Sequence, residues 1–359
     1  MQPSRPKLSW KMVVFPIVGL ICFFVYIYIY RVNFIGIVET ATKANPIVYS
    51  AAALCGLLQV LFFTVSWKVL TNRLSIKMST FRAYLYVWYG MYVDTIVPAQ
   101  SISGEVTRTY LLTRDGCGSF GKVVASLYTH RFIGTTINVG ALIAGLVLLT
   151  FGGNVNPVVF NLIILVAAVI VAILFLMAVL SLKRDWTLKG IGWLTNFVKK
   201  ITRGKYKLEK LSDEAIEITE HFHDSLEEFR HAPRAVAFSL IYLLISWGFS
   251  LSIPFLVFMS LNHPVSISVI IVTAAIFLAV KSIPVGIPFE VGLPEVVMTT
   301  LYISMGVPGP LAATATILTR LITLWFFFFI GLMSQQWLEL KPALPTAANI
   351  EKIKIDLPS

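Results

Sequence analysis

The sequence predicts an all-α, polytopic integral membrane helix bundle, with about six full spans and two re-entrant helical hairpins. Three observations carry that prediction. Of 359 residues, 57% are hydrophobic and only 13% charged, the mean hydropathy is +0.80, and the apolar residues gather in runs of ~20, long enough to cross a hydrocarbon core. A water-soluble domain of ordinary composition is excluded. The formal charge of +11 would suggest nucleic acid in a soluble chain. Here the basic residues sit in short loops beside apolar runs, which is how orientation is encoded. No nucleic acid is therefore expected, and anionic lipid headgroups are the expected partner. Cys22, Cys55 and Cys117 have no metal-ligand spacing, so neither a metal nor a cofactor is expected.

Residues 12–30 follow Arg5, Lys7 and Lys11 and have no small-residue cleavage site after them, so they read as a retained helix. Residues 46–67 form the next run. Lys68, Arg73, Lys77 and Arg82 follow it without an acid, which places the N-terminus and this loop in the cytoplasm. Further spans are predicted at 132–151, 157–180, 235–261 and 311–334. The uncharged connection 152–156 reads as external, and the insertion 183–234 as cytoplasmic, as does the C-terminus. That insertion has two halves. Residues 183–207 hold eight bases against Asp185 alone, interleaved with Trp186, Ile191, Trp193 and Phe197, a composition that lies in an anionic headgroup plane. Residues 208–230 hold eight acids and two bases, with Leu211, Ala215, Ile218, Phe222, Leu226 and Phe229 at helical spacing, so an amphipathic helix with an acidic outer face is expected. His221 and His223 on it point to different faces and make no metal pair. One domain is thus expected over 1–334, followed by a flexible tail at 335–359 that contains Pro342 and Pro345.

The stretch 83–131 must begin and end inside, so a single crossing there is excluded. Its apolar arm 83–97 leads to Pro98, Ser103 and Gly104, then to a polar arm with Glu105, Arg108, Arg114 and Asp115. A re-entrant hairpin fits, because irregular backbone is tolerated at membrane depth only under protein or beside a wet cavity. Residues 265–282, the Pro- and Gly-rich 283–294 and Glu295 repeat that grammar. Pro98 precedes Glu105 by the seven positions that separate Pro288 from Glu295, and Arg131 and Arg320 follow at nearly equal distances. Three spans between the hairpins would invert the second relative to the first, the arrangement of an alternating-access transporter.

Asp94, Glu105, Glu290 and Glu295 fall in or beside apolar segments, and the available cations are Arg108, Arg131, Lys281 and Arg320. Ionisable groups at that depth are costly and face a bundle interior or a wet cavity. They are expected to bind substrate in one polar cavity near mid-membrane, the arginines through bidentate contacts to phosphate oxygens. Glu105 and Arg108, three apart on one helical face, are expected to pair, and Asp94 to meet Tyr89 or Tyr92. The opposing reading makes all of these structural ion pairs that hold broken helices together.

The stretch IVPAQSISGEVTRTYLLTR resembles the signature P-x-x-x-G-G-(D/E)-x-x-R-x-x-x-(L/F) of the lysylphosphatidylglycerol synthase transmembrane family, also called flippase-like or UPF0104 membrane proteins. The stretch IPVGIPFEVGLPEVV, with the later LTRLITLW, is similar to that family's second glycine-rich segment and arginine-bearing last span. Pro98, Gly104, Glu105 and Arg108 match the first motif, and Pro288, Gly292, Glu295 and Arg320 the second. Ser103 stands where a glycine is usual, and Phe289 and Glu290 replace a glycine pair. The resemblance implies lipid handling: a transporter moving a phospholipid or polyprenyl-phosphate-linked sugar between leaflets of the cell membrane. The ~25 residues after the last span are too few for a folded catalytic domain, so an enzyme is not expected. The rivals are an integral glycosyltransferase or accessory protein of lipid-linked glycan synthesis, and a scaffold recruiting a cytoplasmic partner through the acidic helix.

Overall fold

The computed structural model describes residues 39–97, 102–151, 157–182, 209–281 and 292–340. The predicted span at 12–30, the basic half of the insertion, Pro98, Pro288 and Glu290 lie outside the described residues. Among the described residues the regular structure is helical throughout, with no strand: α1 (Pro46–Arg73), α2 (Thr80–Ile96), α3 (Ile102–Arg114), α4 (Phe120–Phe151), α5 (Pro157–Leu182), α6 (Glu209–Arg230), α7 (Pro233–Ser260), α8 (Ile267–Lys281), α9 (Leu293–Ser304), α10 (Gly309–Arg320), a π-helical turn (Leu321–Phe326) and α11 (Phe327–Leu340). Pro46–Arg73, Pro233–Ser260 and Gly309–Leu340 are long and apolar enough to cross a membrane.

The central pair is α1 against α7, antiparallel. Asn45 starts α1: its side-chain oxygen accepts from Ile47 and Val48 N–H, and Pro46 takes the position where a missing N–H costs nothing. Lipid is as apolar as leucine, so packing and interhelical hydrogen bonds hold such helices together. Ser66 Oγ donates to the Ser239 carbonyl at 2.7 Å, and Ser246 Oγ to the Gln59 carbonyl at 2.8 Å. Phe62 stacks on Phe249, ring centres 5.5 Å apart. Ridges of large side chains complete the core, with Trp67, Trp88, Tyr86 and Tyr302 fully buried.

Helices α2 and α3 form an antiparallel hairpin, and α11 packs along α2. At its base, Asp115 is buried and accepts from the Tyr86 hydroxyl, while Arg82 and Arg114 bind it at 2.9 and 3.0 Å. Arg114 also reaches Glu339 at 3.4 Å. The last helix therefore runs beyond the predicted tail boundary at 335: Leu338 is buried, and α11 ends only at Leu340. The acidic helix forms as predicted. It packs on α4 through Phe222, whose ring meets Tyr128 edge-on, with Phe229 buried below.

Candidate functional site

Asp94 lies near the end of α2. Its carboxylate accepts from Ser103 Oγ and from Gly104 N–H, both at 2.6 Å. An acid of one helix thus caps the next, matching a carboxylate to the open N–H groups and positive end of α3. These two partners both come from the start of α3. Ser103 explains its own departure from the glycine signature, since its hydroxyl serves the cap. Gly104 is required by close approach: a Cβ there would strike the Asp94 carboxylate and lie 2.7 Å from the Gly90 carbonyl.

Glu105 faces α4 and pairs with Arg131 at 3.0 Å. Arg108, expected to pair with Glu105, turns the other way, into the α1 side of the hairpin. It is only 7% exposed, and its guanidinium carbon sits 5.3 Å from the ring centre of Trp67 and 5.8 Å from that of Phe63. Stacking on two aromatic faces replaces the expected ion pair. Trp67 is itself held by Ser126, which accepts from its indole N–H at 3.2 Å. The Arg108 Nε makes a long contact of 3.4 Å to the Gly104 carbonyl, and Nη1 is buried without a hydrogen-bond partner. Asp94, Glu105 and Arg131 are the charges near enough to act on it.

The second cluster belongs to α9 and α10. Gly292 adopts φ +99°, a backbone suited to glycine. Its N–H donates at 2.6 Å to Glu295 Oε2, and Glu295 Oε1 takes Arg320 Nε at 2.6 Å. Glu295 is 3% and Arg320 6% exposed. This glutamate is engaged at both oxygens, capping its own helix and holding the next. The π-turn starts directly after Arg320, a local geometry that is frequent at functional sites.

Helix α1 touches both clusters at different levels. Tyr49 donates its hydroxyl to the Leu318 carbonyl at 3.0 Å, and Gly56 lies against Ile322 and Phe327. Arg108 meets the same helix at Phe63 and Trp67. The intervening turns separate the levels of Arg320 and Arg108 by roughly 15–20 Å at 1.5 Å per residue. The Glu105–Arg131 pair thus joins α3 to α4, and the Glu295–Arg320 pair joins α9 to α10. Lys281 ends α8, and Glu290 lies outside the described residues.

The lysylphosphatidylglycerol synthase TM region matches this chain over residues 10–331. The chain belongs to that family. Its similar relatives include a UPF0104 membrane protein of Pyrococcus horikoshii, 25% identical over 76% of this chain and 82% of its own. Others are UPF0104 membrane proteins of Methanothermobacter thermautotrophicus, 21% identical over 82% and 86% of the two chains, and of Methanocaldococcus jannaschii, 23% identical over 80% and 83%. The match spans Glu105 and Glu295 with their arginines, so both clusters lie within the shared region.

Sequence reasoning missed Phe63 and Trp67, and with them His130 of α4, which packs edge-on against Phe63 with ring centres 4.6 Å apart. The aromatic pair carried one faint signal, its spacing of four on α1, which places both rings on one face. His130 carries no such signal, because a lone histidine beside a charged Arg131 has no spacing that marks it.

Proposed function

We propose that this membrane protein is a lipid transporter that moves an anionic headgroup, from a phospholipid or a lipid-linked sugar phosphate, between leaflets, and that it performs no covalent chemistry. In this reading α2–α3 and α8–α9 are re-entrant hairpins, and both termini face the cytoplasm of a cell membrane. One observation carries it: Arg108 is a buried cation whose Nη1 has no hydrogen-bond partner, seated on two aromatic rings beside a helix start. Buried charges are ordinarily paired, and an anionic oxygen is what this one lacks. The Glu295–Arg320 pair, engaged on both sides, then acts as a brace.

Translocation of a fluorescent phosphatidylglycerol into or out of proteoliposomes, without nucleotide, tests the reading. Arg108→Lys keeps the charge and loses the planar fork, so translocation is expected to fall about tenfold or more while the thermal unfolding temperature in detergent stays near wild type. A Lys variant that translocates at the wild-type rate would sink the assignment of Arg108. Orientation is tested separately. A cysteine placed at Asn154 in a background of Cys22→Ser, Cys55→Ser and Cys117→Ser is expected to react with an impermeant maleimide on intact cells. Labelling only after permeabilisation would reverse the topology.

A further inference from the structure

One continuous helical stretch, Gly309–Leu340, serves two different neighbourhoods. Its first part, α10, belongs with α9, α7 and α1. Thr299 Oγ1 donates to Thr316 Oγ1 at 3.1 Å, Arg320 holds Glu295, and Tyr49 of α1 reaches the Leu318 carbonyl. Tyr302 of α9 in turn meets Phe258 of α7 edge-on, ring centres 4.9 Å apart. The last part, α11, packs along α2 of the α2–α3 hairpin. The π-turn Leu321–Phe326 is the joint between the two parts.

Glycines bring backbones together around α2. A Cβ on Gly104 would lie 2.7 Å from the Gly90 carbonyl, and one on Gly331 would lie 2.7 Å from the Trp88 carbonyl. Small residues of this kind let helices approach closely, so α2 is in backbone contact with α3 on one side and α11 on the other. Asp115 then ties Arg82 of α2 to Arg114 of α3, and Arg114 reaches Glu339 of α11. The seam from these three helices to α1 and α4 is of another kind. Its polar contacts are made by side-chain ends: Arg108 on the Phe63 and Trp67 rings, Glu105 on Arg131, and the Tyr84 hydroxyl on the Leu57 carbonyl. Side-chain ends part by rotamer changes, whereas close-packed backbones do not.

A π-turn is one of the few causes of a sharp change in helix direction. Here the Phe327 N–H reaches back five residues to the Ile322 carbonyl, and Thr323 Oγ1 donates to the Thr319 carbonyl at 3.0 Å. The Phe327 ring rests on Gly56 of α1, which has no side chain to lock it. We propose that α2, α3 and α11 move as one block about the π-turn, swinging against the body formed by α1, α7, α9 and α10 and opening the seam at Arg108. The 14 residues of α11 make ~20 Å of helix, so a ~20° change at the turn carries the far end ~7 Å and position 336 ~5 Å. This motion is a property of the fold and stands whether or not Arg108 meets a headgroup.

Pulsed electron–electron double resonance on the full chain in lipid nanodiscs measures it, in the background Cys22→Ser, Cys55→Ser and Cys117→Ser. One labelled pair lies within the block, Gln336→Cys with Phe81→Cys, and one crosses to the body, Gln336→Cys with Phe238→Cys; all three side chains are exposed. The crossing pair is expected to give two distances ~5 Å apart, and the pair within the block a single one. A single distance for the crossing pair would overturn the swing. Two distances for the pair within the block would show that the block comes apart, and would overturn it equally. Deletion of Thr323 takes the extra residue out of the turn and restores α-helical bonding, so the crossing pair is expected to collapse to one distance with the other pair unchanged. Two distances persisting in that variant would overturn the π-turn as the hinge. Amide hydrogen exchange of the wild-type chain reads the hinge even where the deletion does not fold: amides of 321–327 are expected to exchange about tenfold faster than those of 312–319 and 329–336. Uniform exchange across the three stretches would overturn it.

Discussion

Arg320→Ala is expected to cost ~3–5 kcal/mol of stability, the range for removing one member of a buried ion pair. Both side chains of the Glu295–Arg320 pair are almost wholly buried, at 2.6 Å. Without the arginine, the Glu295 charge keeps the Gly292 N–H at one oxygen and loses its cation at the other. The brace between α9 and α10 would open with it. Thermal unfolding in detergent, read with a conformation-independent label, measures the loss. Arg320→Met together with Glu295→Gln should recover more than half of it, because the uncompensated charge is gone and coupled sites do not add. A single variant within 1 kcal/mol of wild type would mean that the pair is solvated and that Glu295 is free for substrate.

Gly104→Ala carries the second large effect. The new methyl would run into the Asp94 carboxylate, which must turn away from its cap, and into the Gly90 carbonyl, which cannot step aside without parting α2 from α3. Overpacking of that kind costs ~1–3 kcal/mol, and displacing Asp94 from Gly104 N–H removes a cap contribution of ~1 kcal/mol as well. Gly140→Ala is the control. Nothing lies within 4 Å of an added Cβ there, so the intrinsic helical preference for alanine should leave it neutral or up to ~1 kcal/mol more stable. Should the two variants melt together, the close crossing at Gly90 and Gly104 contributes nothing to the hairpin.

The helical character of the chain was legible in hydropathy, because a span must satisfy its own backbone and must therefore be long and apolar. Glycine and glutamate spacing marked the first turns of α3 and α9. What escaped was the direction in which side chains turn. Spacing places Glu105 and Arg108 on neighbouring positions, yet nothing in it says that Glu105 meets α4 while Arg108 stacks on α1. Partners such as Trp67 and Phe63 are distant in sequence and have no charge to mark them. His130 shows the same limit, since the Phe63 ring it meets edge-on is distant in sequence. The long reach of α11 was hidden for a different reason: the polar residues Gln335, Gln336 and Glu339 read as a tail, but Leu338 and Trp337 keep the helical spacing and Arg114 supplies the far partner.

The difference in level between Arg108 and Arg320 along α1 has an electrical consequence. About 15–20 Å is half or more of a ~30 Å hydrocarbon core. A singly charged headgroup passing from one level to the other would cross a comparable fraction of any membrane potential, worth ~1–1.5 kcal/mol at 100 mV. That is roughly a fivefold to tenfold bias in where the anion rests. Polarity and magnitude of the voltage across a proteoliposome would then set the leaflet distribution of an anionic lipid, whereas a lipid of zero net charge would distribute without regard to it.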